Sequence, residues 1–229
     1  MTSDDLYALF RSDVVDAVTP YLWTDVEVWN YMNDAYRMFV RLTGGVPDAT
    51  SSITQVALVA GQSTSKVSPL ILKFISAYLV SDGTELRIVT EPQAPRKLSS
   101  DYGNQPVGTR DTSRGRVGHM ITGLGHSAAN GVVRWLRVPA VNDTVQLNVM
   151  RLPLDTVEAG FEFDDVGTEH HEALMLWMKA RAYGKQDAET FNRNARDDNT
   201  KMFRDYCADA KAEWARYKSN TQPVAYGGF

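Results

Sequence analysis

Apolar positions along the chain change their period twice. Up to Thr43 they recur at helical steps: Leu6, Leu9/Phe10, Val14, Ala17 and Val18, then, past Pro20, Val28, Met32, Ala35, Phe39 and Leu42. That spacing gives each of two helices one apolar face. Ser3, ahead of the acids Asp4 and Asp5, is expected to cap the first helix, and Pro20 to stop it, with Tyr21-Leu22-Trp23 turning the corner. Thr24-Asp25-Val26-Glu27 has capping-box spacing for the second helix, and Gly44-Gly45 is expected to end it.

The middle of the chain is built on a shorter period. Residues 52–59 and 70–75 are rich in β-branched and aromatic side chains, and residues 85–89, 133–138 and 145–149 alternate apolar with polar. Separated by Ser-Asp-Gly, Ala-Asn-Gly and Val-Asn-Asp, they predict short strands in an antiparallel sandwich or small barrel. Residues 96–116 read as a long mobile loop.

Helical spacing then returns. Thr168 is expected to cap a helix to about Tyr183, with Leu174, Trp177 and Ala180/Arg181 facing inward and Gly184 at its end. Asp187 is expected to cap a last helix reaching Lys218, with Phe191, Ala195, Met202, Tyr206, Ala210 and Trp214 on one stripe; unbroken, it would be about 45 Å long. The tail carries Pro, Gly-Gly and the apolar Val224, Tyr226 and Phe229, and reads as an extended arm. The expected fold class is therefore α+β. A helical bundle is made of residues 1–48 and 155–218, a β insert of residues 49–154, and an extended C-terminal arm of residues 219–229.

Composition narrows the class. The 229 residues are 43% hydrophobic and 23% charged, ordinary values for a globular chain and too apolar for a disordered one. No apolar run approaches the length of a membrane span, and the acidic start Met1-Thr2-Ser3-Asp4-Asp5 is unlike a secretion signal. One cysteine, Cys207, permits no intrachain disulfide and fits assembly in a reducing cytoplasm. A net charge of −4 argues against nucleic acid as the main partner.

Motifs for chemistry are missing. The pair His170-His171 points in directions about 100° apart on a helix, so it does not converge on a metal as an i, i+4 pair would. Gly123-Leu124-Gly125 lacks the third glycine of a dinucleotide loop, and Ser127 has no glycine elbow. Cys207 reads as a small buried hydrophobe. No catalytic residue, cofactor or metal is expected, and the chain does not read as an enzyme.

Two charged segments stand out. Residues 152–178 hold the acids Asp155, Glu158, Glu162, Asp164, Asp165, Glu169 and Glu172 without a Lys or Arg. This is either a solvated approach to a helix or an acidic surface that repels DNA or meets a basic partner. The 96–116 segment carries Arg96, Lys97, Arg110, Arg114 and Arg116, as a solvated loop, a protein contact or a phosphate contact; its single aromatic, Tyr102, makes no stacking platform.

A set of residues at both ends of the chain carries a resemblance. Arg11, Val15-Asp16, Pro20-Tyr21-Leu22-Trp23-Thr24-Asp25, Glu27, Tyr31-Met32-Asn33-Asp34-Ala35 and Phe39 resemble head-to-tail adaptor (connector) proteins of tailed bacteriophages. So do His171-Glu172-Ala173-Leu174, Trp177-Met178-Lys179, Arg181-Ala182-Tyr183 and Lys185-Gln186-Asp187-Ala188-Glu189-Thr190. The middle of the chain carries no such match. The resemblance implies a virion structural protein in the neck, between capsid and tail, forming a ring of about twelve copies under the portal. Such a ring continues the DNA channel without binding DNA specifically and meets a tail or nozzle protein, away from any membrane. On that reading Val224, Tyr226 and Phe229 are candidates for portal contact, Arg96, Lys97, Arg110, Arg114 and Arg116 for a partner- or DNA-facing loop, and Asp155, Glu158, Glu162, Asp164 and Asp165 for a channel surface. Tyr21, Trp23, Asn33 and Asp34 are expected to serve folding. The competing expectations are another neck component (a stopper or tail-completion protein) and a carbohydrate-binding or adhesion module displaying Tyr78, Tyr102 and Trp135.

Overall fold

A computed structural model describes residues 1–94, 96–97, 109–110, 113–123, 131–186 and 190–218. The fold is α+β. The chain divides into two compact units, one of Met1–Gly45 with the chain from Pro153, the other Val46–Leu152.

The first unit holds four helices, α1 (Ser3–Asp13), α2 (Asp25–Thr43), α3 (His171–Tyr183) and α4 (Arg193–Lys218). Helix α3 packs against each of the other three. It therefore buries Leu174, Met175 and Met178 together with Ala173, Ala180 and Ala182, more of its circumference than a surface helix does. Arg181, expected inward, instead lies outward and pairs with Asp34 at 3.2 Å. The capping box on α2 forms as expected: Thr24 Oγ1 accepts from the Glu27 N–H at 3.3 Å and Glu27 Oε2 from the Thr24 N–H at 2.8 Å. Gly44 closes α2 in the left-handed region at φ 108°.

Several expectations for the helices are corrected. Thr2, not Ser3, caps α1, because the Ser3 hydroxyl is drawn to the Glu158 carbonyl at 2.6 Å and the Phe161 N–H at 3.0 Å. The helix also stops at Asp13 rather than reaching Pro20, since Val15 takes a positive φ of 57°. Thr168 does not cap α3; residues 168–170 form a 3₁₀ turn that runs straight into it. Finally, α4 begins after Asn192, whose side chain accepts from the Ala195 N–H, and Asp187 lies outside the described residues. The buried stripe of α4 is Phe203, Cys207 and Ala210; Met202 is 56% exposed and Phe191 precedes the helix.

The second unit is a two-sheet sandwich. In one sheet β12 (Asp143–Arg151) pairs antiparallel with β4 (Ile71–Leu79) along one edge, and with β1 (Val46–Asp48) and β2 (Gln55–Leu58) end to end along the other. The second sheet has the order β3 (Thr64–Lys66), β10 (Val132–Trp135), β9 (His119–Thr122), β5 (Arg87–Thr90). Short pairs join β6 (Arg96–Lys97) to β7 (Thr109–Arg110) and β8 (Arg114–Gly115) to β11 (Val138–Pro139). Alternation places Val145, Leu147 and Val149 of β12 opposite Val133 and Trp135 of β10 in one apolar core. Gly131, at φ 69°, immediately precedes β10, where a Cβ would meet the Val67 carbonyl oxygen at 2.2 Å, so no other residue fits there.

The expectation of a wholly antiparallel insert is corrected: β5–β9 and β8–β11 are parallel. A parallel return needs a connection of about a dozen residues or more, and the segment from Thr90 to His119 supplies it. Parts of the expected 96–116 loop are accordingly strand.

Candidate interaction surfaces

The corner between α1 and α2 is organised by one buried arginine. Arg11, 5% exposed, pairs with the 3% exposed Asp16, donates to the Trp23 carbonyl at 2.6 Å and to Asp25 at 2.7 Å, and lies over the Tyr21 ring with its guanidinium carbon 4.2 Å from the centroid. Asp16 in turn accepts the N–H groups of Leu22 and Trp23. The Trp23 indole goes inward, donating to the Ala182 carbonyl at 3.1 Å. Asn33 grips Val157 through both its N–H (2.7 Å) and its carbonyl (3.0 Å), and Asp34 accepts from the Trp177 indole at 2.8 Å.

With its polar groups turned in, this corner turns apolar side chains out. Val15, Val18 and Val26 are 89%, 79% and 69% exposed. Beside them a groove of about 500 Å³ is lined by Val14, Leu22, Trp23, Tyr183 and Phe191. Such an apolar ledge is a candidate contact surface. Sequence reasoning put Val18 on the buried face; the usable signal was a set of valines bracketing Pro20.

The acidic segment lies at the surface, with Asp165 half-buried. Val157, Phe163 and Val166 anchor residues 155–172 inward, and Asp155, Glu158, Glu162 and Asp164 stand outward. Thr2 bridges Glu162, and the Asp4 carboxylate accepts the Gly160 N–H at 3.0 Å, so the segment is tied down at the start of α1. His170 and His171 are both buried. His170 Nδ1 meets the Tyr206 hydroxyl at 3.0 Å, while His171 Nε2 meets the Val166 carbonyl at 2.9 Å and its Nδ1 has no partner among the described residues. Cys207 is buried, which pushes its thiol up to about 12. Among the described residues no cluster of metal-binding side chains occurs, and no helix is long and apolar enough to cross a membrane.

In the β unit the basic residues do not act alike. Arg116 is tied to Asp82 and Thr84, Arg114 is exposed, and Arg96, Lys97 and Arg110 lie in the β6–β8 region without described side chains. One end of the sandwich carries a pocket of about 360 Å³ lined by Leu58, Leu79, Arg116, Val117, Pro139 and Val141, with Val80 and Val141 exposed at 57% and 69%. Trp135 is buried and donates to Ser65 at 3.0 Å, which removes it from any sugar platform. Val224, Tyr226, Phe229 and Tyr102 lie outside the described residues.

Buried ion pairs shape the backbone of the helical unit, while valines and acids stand outward from it. A family model described as SU10 adaptor protein matches residues 1–225, and the chain belongs to that family of phage adaptors. No curated protein matches it. It is a structural component of a phage virion.

Proposed function

We propose that the protein is the head-to-tail adaptor of its phage, a ring of about twelve copies between portal and tail that continues the DNA channel. The observation that carries this reading is the family match over nearly the whole chain. The two units act as separable domains, Met1–Gly45 with the chain from Pro153 as the wall and Val46–Leu152 as a partner-facing module. The arm, residues 219–229, anchors to the portal through Val224, Tyr226 and Phe229. Arg96, Lys97, Arg110, Arg114 and Arg116 meet a tail or nozzle protein or a neighbouring copy. Asp155, Glu158, Glu162, Asp164 and Asp165 line the channel, where like charge keeps DNA moving. The role is structural, with no catalysis, and each weak contact is multiplied by ring closure.

Particle mass, measured for the protein alone and mixed with the portal ring of the same phage, tests this reading. Addition of about twelve copies per portal is expected; a protein that ignores the portal is another neck component. A chain ending at Ser219 is expected to fold normally and to add to the portal at least about tenfold more weakly.

A further inference from the structure

Helix α4 carries opposite charge on its two flanks. At about 100° per residue, Asp198, Asp205, Asp209 and Glu213 fall on one side of the buried stripe Phe203–Cys207–Ala210, with the single base Arg216 among them, and Arg193, Arg204 and Lys211 fall on the other, with the single acid Asp197 among them. All nine of these charged residues are exposed. Arg193 is partnered within the helix by Asp197 at 3.7 Å. Among the described residues no ion pair engages Arg204, Lys211, Asp205 or Asp209. The exposed alanines Ala208, Ala212 and Ala215 keep the outer surface between the flanks low.

The acidic flank is also concave. A groove of about 370 Å³ runs along it, bordered by His170, Tyr206, Asp209, Glu213 and Arg216. Burial, and then the charges of Glu169 and Glu213, hold the Tyr206 phenol above its ordinary value, as expected where acids from two segments converge. A long cationic side chain laid into this groove would find carboxylates at its rim and an aromatic wall for its stem.

We infer that α4 is a contact helix between copies, the acidic flank of one subunit receiving Arg204 and Lys211 of the next. The inference rests on the ring reading above. Cyclic symmetry presents different faces of neighbouring copies to each other, so a self-assembling strut needs two complementary sides rather than one self-complementary patch. The repeat agrees: Arg204 and Lys211 are seven residues apart, as are Asp198 and Asp205, so parallel helices meet two pairs in one register. A nucleic acid would match only the basic flank, and a basic protein only the acidic one.

The test uses the full chain on its portal, read by particle mass and by added salt. Two doubly substituted proteins are needed, Arg204→Glu with Lys211→Glu and Asp205→Lys with Asp209→Lys, each shown by circular dichroism to be folded. Each alone should require at least about tenfold more protein to fill the portal, because attraction becomes repulsion at every contact. An equal mixture of the two should fill it near the wild-type concentration, since alternating copies restore opposite charges. Wild-type filling by either folded variant alone, or no recovery in the mixture, overturns the proposal while leaving the ring reading intact. Failure of the wild-type chain to add to the portal overturns both.

Discussion

The two units are specified in opposite ways. The helical unit buries polar side chains freely: Ser3, Arg11, Asp16, Thr43, His170, His171 and Thr190 are all nearly inaccessible. Among the described residues the β unit buries only Asp48 and Thr54 in this way, and its interior is otherwise an apolar sandwich closed by alternation. A sheet takes its register from hydrogen bonds and from which face is wet, so it needs few internal charges. Helices sliding on greasy faces have no such ruler. The Arg11–Asp16 pair and the Asn33–Val157 grip fix where the helical unit's segments stop and turn, at the cost of desolvating charge.

The contrast can be broken first at Arg11. Arg11→Ala leaves Asp16 buried beside an empty space and is expected to cost about 3–5 kcal/mol, read by urea unfolding of the helical circular dichroism signal. A loss below about 1 kcal/mol would rank the pair with surface ion pairs and erase the difference between the units.

The β unit's counterpart is the Asp48 clip. Burial raises the Asp48 carboxyl, but hydrogen bonds from Ser51, Thr50 and, at 2.7 Å, Arg151 outweigh it and hold the group well below the usual carboxylate range. A folded value lowered from 3.8 means that the clip's contribution is complete above about pH 4 and is lost as pH falls further. Asp48→Asn should therefore destabilise the β unit by about 1–3 kcal/mol near neutrality and less in acid. A difference that does not shrink between pH 6 and about pH 2 would show that the carboxylate's charge is not what matters.

The smallest effect is expected at Arg116, whose pairing with Asp82 is exposed on both sides. Arg116→Ala should change stability by less than about 1 kcal/mol, with the change fading in high salt. A larger loss by thermal melt would mean that the pocket end of the sandwich depends on this pair.

What could be read from the chain beforehand follows the range of the interaction involved. The α2 cap and the Gly44 stop need only residues three or four apart, and both are where the spacing put them. Ser3 was misread as a cap because its real partners, Glu158 and Phe161, are over 150 positions away. Along α4 the neighbours Met202 and Phe203 are both apolar, so periodicity admits two stripes one residue apart; only packing against Phe39 and Trp177 selects Phe203. Parallel pairing of β5 with β9 leaves no local trace at all. Among the surfaces, the acids of residues 155–172 were legible as a run without a Lys or Arg, whereas the ledge at Val15, Val18 and Val26 was not, since valine spacing alone does not say which face is wet.

The pairing of β1 with the end of β12 has a consequence for how such a chain can change. Val46 lies opposite Arg151, so the first and last strands of the β unit run side by side and its ends are about 5 Å apart. Gly45 and Pro153 are one and two residues beyond that pair, which keeps the cut ends of the helical unit within about 17 Å of each other along the chain. The insert is thus a cassette with a narrow neck, open to lengthening, trimming or wholesale exchange for another module with adjacent termini. Every residue that carries the adaptor resemblance lies on the other side of that neck, in the part that a swapped cassette would leave untouched.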